Sequence, residues 1–80
     1  MELSDYRAQI DQIDRQLVAL FAQRMNTAAG IAAYKKEHGL PVLDPVRERE
    51  KLLDVAAQAP EDMRDYTASL YTMLFELSRC

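Results

Sequence analysis

Over the first 31 residues, apolar side chains recur at a three-four spacing: Leu3, Tyr6, Ile10, Ile13, Leu17 and Leu20, then Ala28 and Ile31. Side chains spaced this way share one face of an α-helix, whereas a half-buried strand alternates at every second residue. Ser4 is the expected N-cap, because its hydroxyl can accept an orphan N–H of the first turn. Gly39 is the expected residue just past the C-terminus. Lys35, Lys36 and His38 precede it, where cations suit the negative end of the helix dipole. The pattern predicts a first helix over about residues 5–37 and a loop over 38–44. Asp44 then reads as a second N-cap, followed by Pro45 at the first helical position, where a missing N–H does no harm. The second helix is expected over about 45–58, broken by Ala59 and Pro60. A third is expected over about 60–80, with the stripe Met63, Tyr66, Leu70, Met73/Leu74 and Leu77. The fold class is all-α, with three helices per subunit, one long and two shorter.

The first helix is too long for its domain. At 1.5 Å per residue it would extend roughly 50 Å. A compact globule of this chain length is only about 30 Å across. The apolar stripe runs along most of the helix, so the overshooting part needs something to cover it. A symmetric, intertwined homodimer of helical subunits is the simplest arrangement that does so.

Composition narrows the function. The 80 residues include two Gly and three Pro, and 49% are hydrophobic. That is too apolar for disorder and too poor in turn residues for a many-stranded fold. The net charge of −3 argues against nucleic acid or a membrane surface as partner, since both select a basic face. It leaves room for a small anion held by a local cluster of cations. The one cysteine, Cys80, permits no internal disulfide, and no signal peptide or long apolar run is evident, so a cytoplasmic location is expected. The closing segment "LYTMLFELSRC" is helix-forming to its last residue, which suggests a domain of a longer protein.

Several charges fall where apolar residues are expected. With Leu3 at heptad position a, Ile10, Leu17, Arg24 and Ile31 are also at a, so Arg24 sits in the seam. Arg7 and Lys35 fall at e, beside it. Glu48 lies one turn before Leu52 on the inward stripe of the second helix, with Asp44 and Arg47 as neighbours. Each alone reads as a boundary residue with its stem on the core and its head in water. Together they suggest a pocket for a small anion. Arg24 and Lys35 share a face about 16 Å apart along the axis, a gap that a ring-sized molecule fits once both side chains reach inward. Arg7 lies about 25 Å from Arg24, too far to meet the same ligand within one chain. It could serve a partner's ligand if two first helices pack antiparallel, crossing near Leu17 to Phe21.

This ordered set resembles the all-helical chorismate mutases. The likeness rests on Arg7, Asp14, Arg24 and Lys35 spaced R-x₆-D-x₉-R-x₁₀-K, followed by D-x-x-R-E at Asp44, Arg47 and Glu48. The stretches "IDQIDRQLVALFAQR", "YKKEHGLPVLDPVRERE" and "LFELSR" are similar to that family as well. The resemblance implies three helices per subunit, a dimer with two shared sites, and the rearrangement of chorismate to prephenate on the way to phenylalanine and tyrosine. That reaction takes no cofactor and no metal. It needs a dicarboxylate held in a chair-like conformer and negative charge stabilised on the breaking ether oxygen.

By position, the resemblance implies that Arg24 and the partner subunit's Arg7 clamp substrate carboxylates and that Lys35 donates to the ether oxygen. Glu48 would accept from the ring hydroxyl with help from the backbone at Asp44. Arg47 and Ser78 would contact carboxylates. His38 reads as a surface residue, and Arg49, Glu50 and Lys51 as a solvated face. The family's second ether-oxygen donor, a Gln or Glu, is expected one turn beyond Ser78, past the last residue of this sequence. Fusion to a prephenate dehydratase domain is the larger arrangement the resemblance implies. Two other readings stand beside the mutase: an isochorismate-pyruvate lyase on the same fold, and a non-catalytic helical dimerisation or regulatory module.

Overall fold

The computed structural model describes residues 1–79. Cys80, and with it the expected last residue of the third helix, lies outside the described residues. The described elements are three α-helices, α1 (Leu3–Glu37), α2 (Pro45–Gln58) and α3 (Arg64–Arg79), and a short 3-10 turn over Glu61–Met63. The chain divides into two units, Met1–Ala32 and Ala33–Cys80.

The first unit is the N-terminal part of α1. Its start differs from the expected cap at Ser4. The carbonyl of Glu2 accepts from the N–H groups of Asp5 and Tyr6 at 3.0 and 3.2 Å, so Glu2 holds the capping position. The carboxylate of Asp5 reaches back to accept the N–H of Glu2 at 2.8 Å. An acid three residues into a helix can satisfy the cap's own N–H in this way, and here it moves the helix start ahead of Ser4. No residue of α1 is buried. Leu3, Tyr6, Ile10, Ile13, Leu17 and Leu20 are each 54–62% exposed, so the stripe that defines the helix in the sequence stays uncovered within the chain.

The second unit begins with the close of α1. Gly39 adopts φ 66°, a left-handed conformation that a Cβ would strain. The N–H of Leu40 donates to Lys35 O at 2.8 Å and that of Gly39 to Lys36 O at 3.4 Å. These two bonds close the helix in a Schellman motif and turn the chain toward α2. At α2, Asp44 Oδ1 accepts the N–H of Arg47 at 3.0 Å, and Pro45 fills the first turn. The helix ends at Ala59, whose backbone is extended ahead of Pro60. The third segment opens more tightly than a plain α-helix: Met63 N–H donates to Pro60 O at 2.8 Å, and α-geometry follows from Arg64.

α2 and α3 form a helical hairpin around Val55 and Phe75, the two buried apolar residues among those described, 7% and 9% exposed. Half-buried Leu52, Ala56 and Ala59 flank Val55, and Ala68, Tyr71, Leu74 and Ser78 flank Phe75. The rings of Tyr71 and Phe75 meet edge to face at 6.2 Å. Leu74 belongs to the expected stripe of α3, and the rest of that stripe is corrected. Met63, Tyr66, Leu70, Met73 and Leu77 are 40–76% exposed. α3 carries apolar side chains on two faces, and spacing alone does not say which face meets α2. Lys51 is a second correction: it is half-buried rather than solvated. It stands one turn before Val55, so its stem lies along the inner face while Nζ reaches Asp54 at 3.5 Å.

Gly39→Ala should lower stability by about 1 kcal/mol, because a Cβ in the left-handed region is strained. No neighbouring atom lies within 4 Å of that Cβ, so the loss is a backbone effect. Gly39→Asn should recover much of it, since Asn tolerates the region better. Urea midpoints of the three chains check this ordering.

Candidate active site

The candidate residues divide between the two units. In the first, α1 carries Arg7, which is exposed, and Arg24, which is half-buried. In the second, Lys35, Asp44, Arg47, Glu48 and Ser78 belong to the end of α1, the start of α2 and the end of α3.

Lys35 stands in the last turn of α1, half-buried, at the point where the Schellman turn folds the chain back. Its Nζ donates to the carbonyl of Val42 at 3.4 Å, so the ammonium tethers the loop to the helix end. That distance is at the long end of hydrogen bonding, and such a donor is readily handed to a better acceptor. His38, next to it, is exposed. Its ring stacks on Tyr34 at 4.0 Å, and Nδ1 lies 2.9 Å from the Tyr34 carbonyl, which can only accept. Both contacts help close the helix end.

The first turn of α2 gathers Asp44, Arg47 and Glu48. Asp44 caps the turn by accepting from the backbone of Arg47, whose residue is exposed. The Glu48 N–H donates to Asp44 O at 3.0 Å. Glu48 lies one turn before Leu52 and is half-buried toward α3, as its place on the inward stripe requires. Its carboxylate accepts from Arg79 of α3: Nε donates to Oε2 at 3.1 Å and Nη2 donates to Oε1. Ser78, the residue before, is half-buried, and its hydroxyl donates to Leu74 O at 2.7 Å. A substrate contact from Ser78 therefore requires its hydroxyl to turn or to accept.

Arg79 is the residue that the sequence pattern does not single out. In sequence it is a last-turn arginine, placed well for the helix dipole and otherwise unremarked. Its partner is 31 positions away on another helix. Among the described residues no group of three or more His, Cys, Asp or Glu side chains is placed to hold a metal ion. None of the described helices is long and apolar enough to cross a membrane.

Residues 6–80 match the family chorismate mutase type II. The chain belongs to that family. A T-protein of Haemophilus influenzae is 44% identical over 46 residues, 58% of this chain and 12% of the relative. The chorismate mutase of Methanocaldococcus jannaschii is 38% identical over 48 residues, 60% of this chain and 48% of the relative. A T-protein of Enterobacter agglomerans is 39% identical over 51 residues, 64% of this chain and 14% of the relative. The chain thus spans less than half the length of each of these curated relatives. No solved structure matches it. The chorismate mutase type II match encloses every candidate residue from Arg7 to Ser78, and Arg79 as well.

Proposed function

We propose that this chain catalyses the rearrangement of chorismate to prephenate, as an isomerase of aromatic amino acid biosynthesis acting in the cytoplasm. The observation that carries the reading is the chorismate mutase type II match over residues 6–80, which takes in the whole basic constellation. The chemistry agrees with the residues. Breaking the ether C–O bond and forming the new C–C bond occur within one molecule, so no proton, electron or leaving group is exchanged with the protein. Negative charge gathers on the ether oxygen as the C–O bond stretches ahead of C–C closure. Donors and cations aimed at that oxygen and at the two carboxylates lower the barrier, and confinement of the chair-like conformer supplies the rest.

In this reading Arg24 and the partner subunit's Arg7 hold carboxylates, with Arg47 and Ser78 assisting. Lys35 moves its ammonium from Val42 O to the ether oxygen. Glu48 receives the ring hydroxyl beside the capped backbone of Asp44. Asp44 keeps its capping role throughout, because the Asp44–Arg47 bond fixes the turn against which the substrate packs. Where the fold is carried in a longer chain, a prephenate dehydratase domain is the partner we propose.

The partner subunit follows from α1. Seven large apolar side chains on its stripe, Leu3, Tyr6, Ile10, Ile13, Leu17, Leu20 and Ile31, are more than half exposed. Burying each contributes about 1.5–3 kcal/mol before the entropy of association is subtracted. A second copy presents the same stripe, and antiparallel pairing of two α1 helices would cover both.

Chorismate and isochorismate, supplied separately, test the reaction. Prephenate from the first is the expected result. Pyruvate released from the second would indicate the lyase, and turnover of neither would leave a binding module. Lys35→Ala should lower kcat/KM by about 100- to 1000-fold, the scale of one lost oxyanion donor, and chiefly through kcat. Activity within a few-fold of the parent would make Lys35 only a loop tether. Sedimentation at micromolar concentration should give a dimeric mass, and a monomeric mass with intact helical circular dichroism would contradict the shared site.

A further inference from the structure

Glu48 and Arg79 join the start of α2 to the end of α3. α2 and α3 run antiparallel, so the first turn of one lies beside the last turn of the other. Glu48 is the acid of the α2 first turn and Arg79 the base of the α3 last turn. Each charge suits the dipole of its own helix end, and the two ends bring them together. The guanidinium engages both carboxylate oxygens through Nε and Nη2. A two-pronged bond of this kind fixes the plane of the carboxylate as well as its position.

The pair is poorly placed to serve stability. The Arg79 side chain is 41% exposed and that of Glu48 29%. Exposed ion pairs add little to folding, since solvent screens them and two long side chains must be ordered. Orientation is another matter. A glutamate on a helix has three rotatable bonds, and an unrestrained one must be ordered each time a ligand arrives. The fork orders it beforehand. It uses one lone pair on each oxygen, and each oxygen keeps a second for another donor. The arginine also offsets the charge of Glu48, which would otherwise repel an approaching dianion.

We propose that Arg79 is a positioning residue for the mutase reaction, holding the Glu48 carboxylate in the plane and rotamer in which it receives the substrate's ring hydroxyl. The proposal rests on the role given to Glu48 above. Arg79 touches no reacting atom and acts through Glu48.

A double-mutant cycle on the full chain tests it, with chorismate as substrate and helix content followed by circular dichroism. Arg79→Ala should lower kcat/KM about tenfold in the parent, the scale of strongly coupled neighbours. In the Glu48→Gln background the same change should matter by less than about twofold, because the carboxylate it orients is gone. Arg79→Lys keeps the charge without the fork and should fall between parent and Arg79→Ala. Equal losses in both backgrounds would overturn the proposal, as would parental activity in Arg79→Ala. Loss of helix content in Arg79→Ala would overturn it too, by making the pair a structural clamp. Parental activity in Glu48→Gln would instead remove the role of Glu48 itself and so defeat the reading beneath.

Discussion

A helix of 35 residues that buries none of its side chains sets the terms for everything else in this protein. The side chains of its stripe are large and aliphatic or aromatic, and water is a poor solvent for them. The hairpin of α2 and α3 secures two buried residues, Val55 and Phe75, a small core for 80 residues. A chain of this size has little margin between burial and conformational entropy, so the uncovered stripe weighs heavily on whether it folds at all. The second copy proposed above would address that demand, and the same pairing would bring Arg7 of one chain to the site of the other. Stability and catalysis would then depend on one contact.

Around that demand, polar groups do local work at helix ends. Asp5 reaches back to Glu2, Gly39 turns the chain after α1, Asp44 caps α2, and Arg79 joins Glu48. Three of these four lie in the unit that also carries Lys35, Arg47 and Ser78. A helix end exposes N–H and C=O groups that have no intrahelical partner, so it is where ligand-binding groups gather at little structural cost. For a reaction that needs oriented donors and acceptors rather than a nucleophile, such ends are a natural scaffold.

Much of this was legible in the sequence because helices announce themselves by period. The three-four spacing from Leu3 to Ile31, the Asp44–Pro45 start and Gly39 each carry a physical mechanism, and the three helices follow from them. Three features were not legible. Ser4 is a good cap by type, yet Asp5 can satisfy the N–H of Glu2, and the choice between them is decided by rotamers that spacing does not encode. α3 has apolar residues on two faces, and which face meets α2 depends on the turn at Glu61–Met63 that sets its rotation. Arg79 pairs across 31 residues, and no local rule reaches that far. Of the candidate site, the types and order of residues were readable, while the partners of Lys35 and Glu48 needed the fold.

The central claim is that each site takes Arg7 from one chain and its other cations from the second, and subunit exchange between inactive mutants measures it most directly. Arg7→Ala and Arg24→Ala chains, each nearly inactive alone, are mixed, unfolded together and refolded. Random pairing makes about half the dimers mixed, and in each of these one site carries both lesions while the other carries neither. Activity should return to about a quarter of the parent per total site. If Arg7 serves the site of its own chain, every site keeps a lesion, mixing restores nothing, and the shared-site account is contradicted.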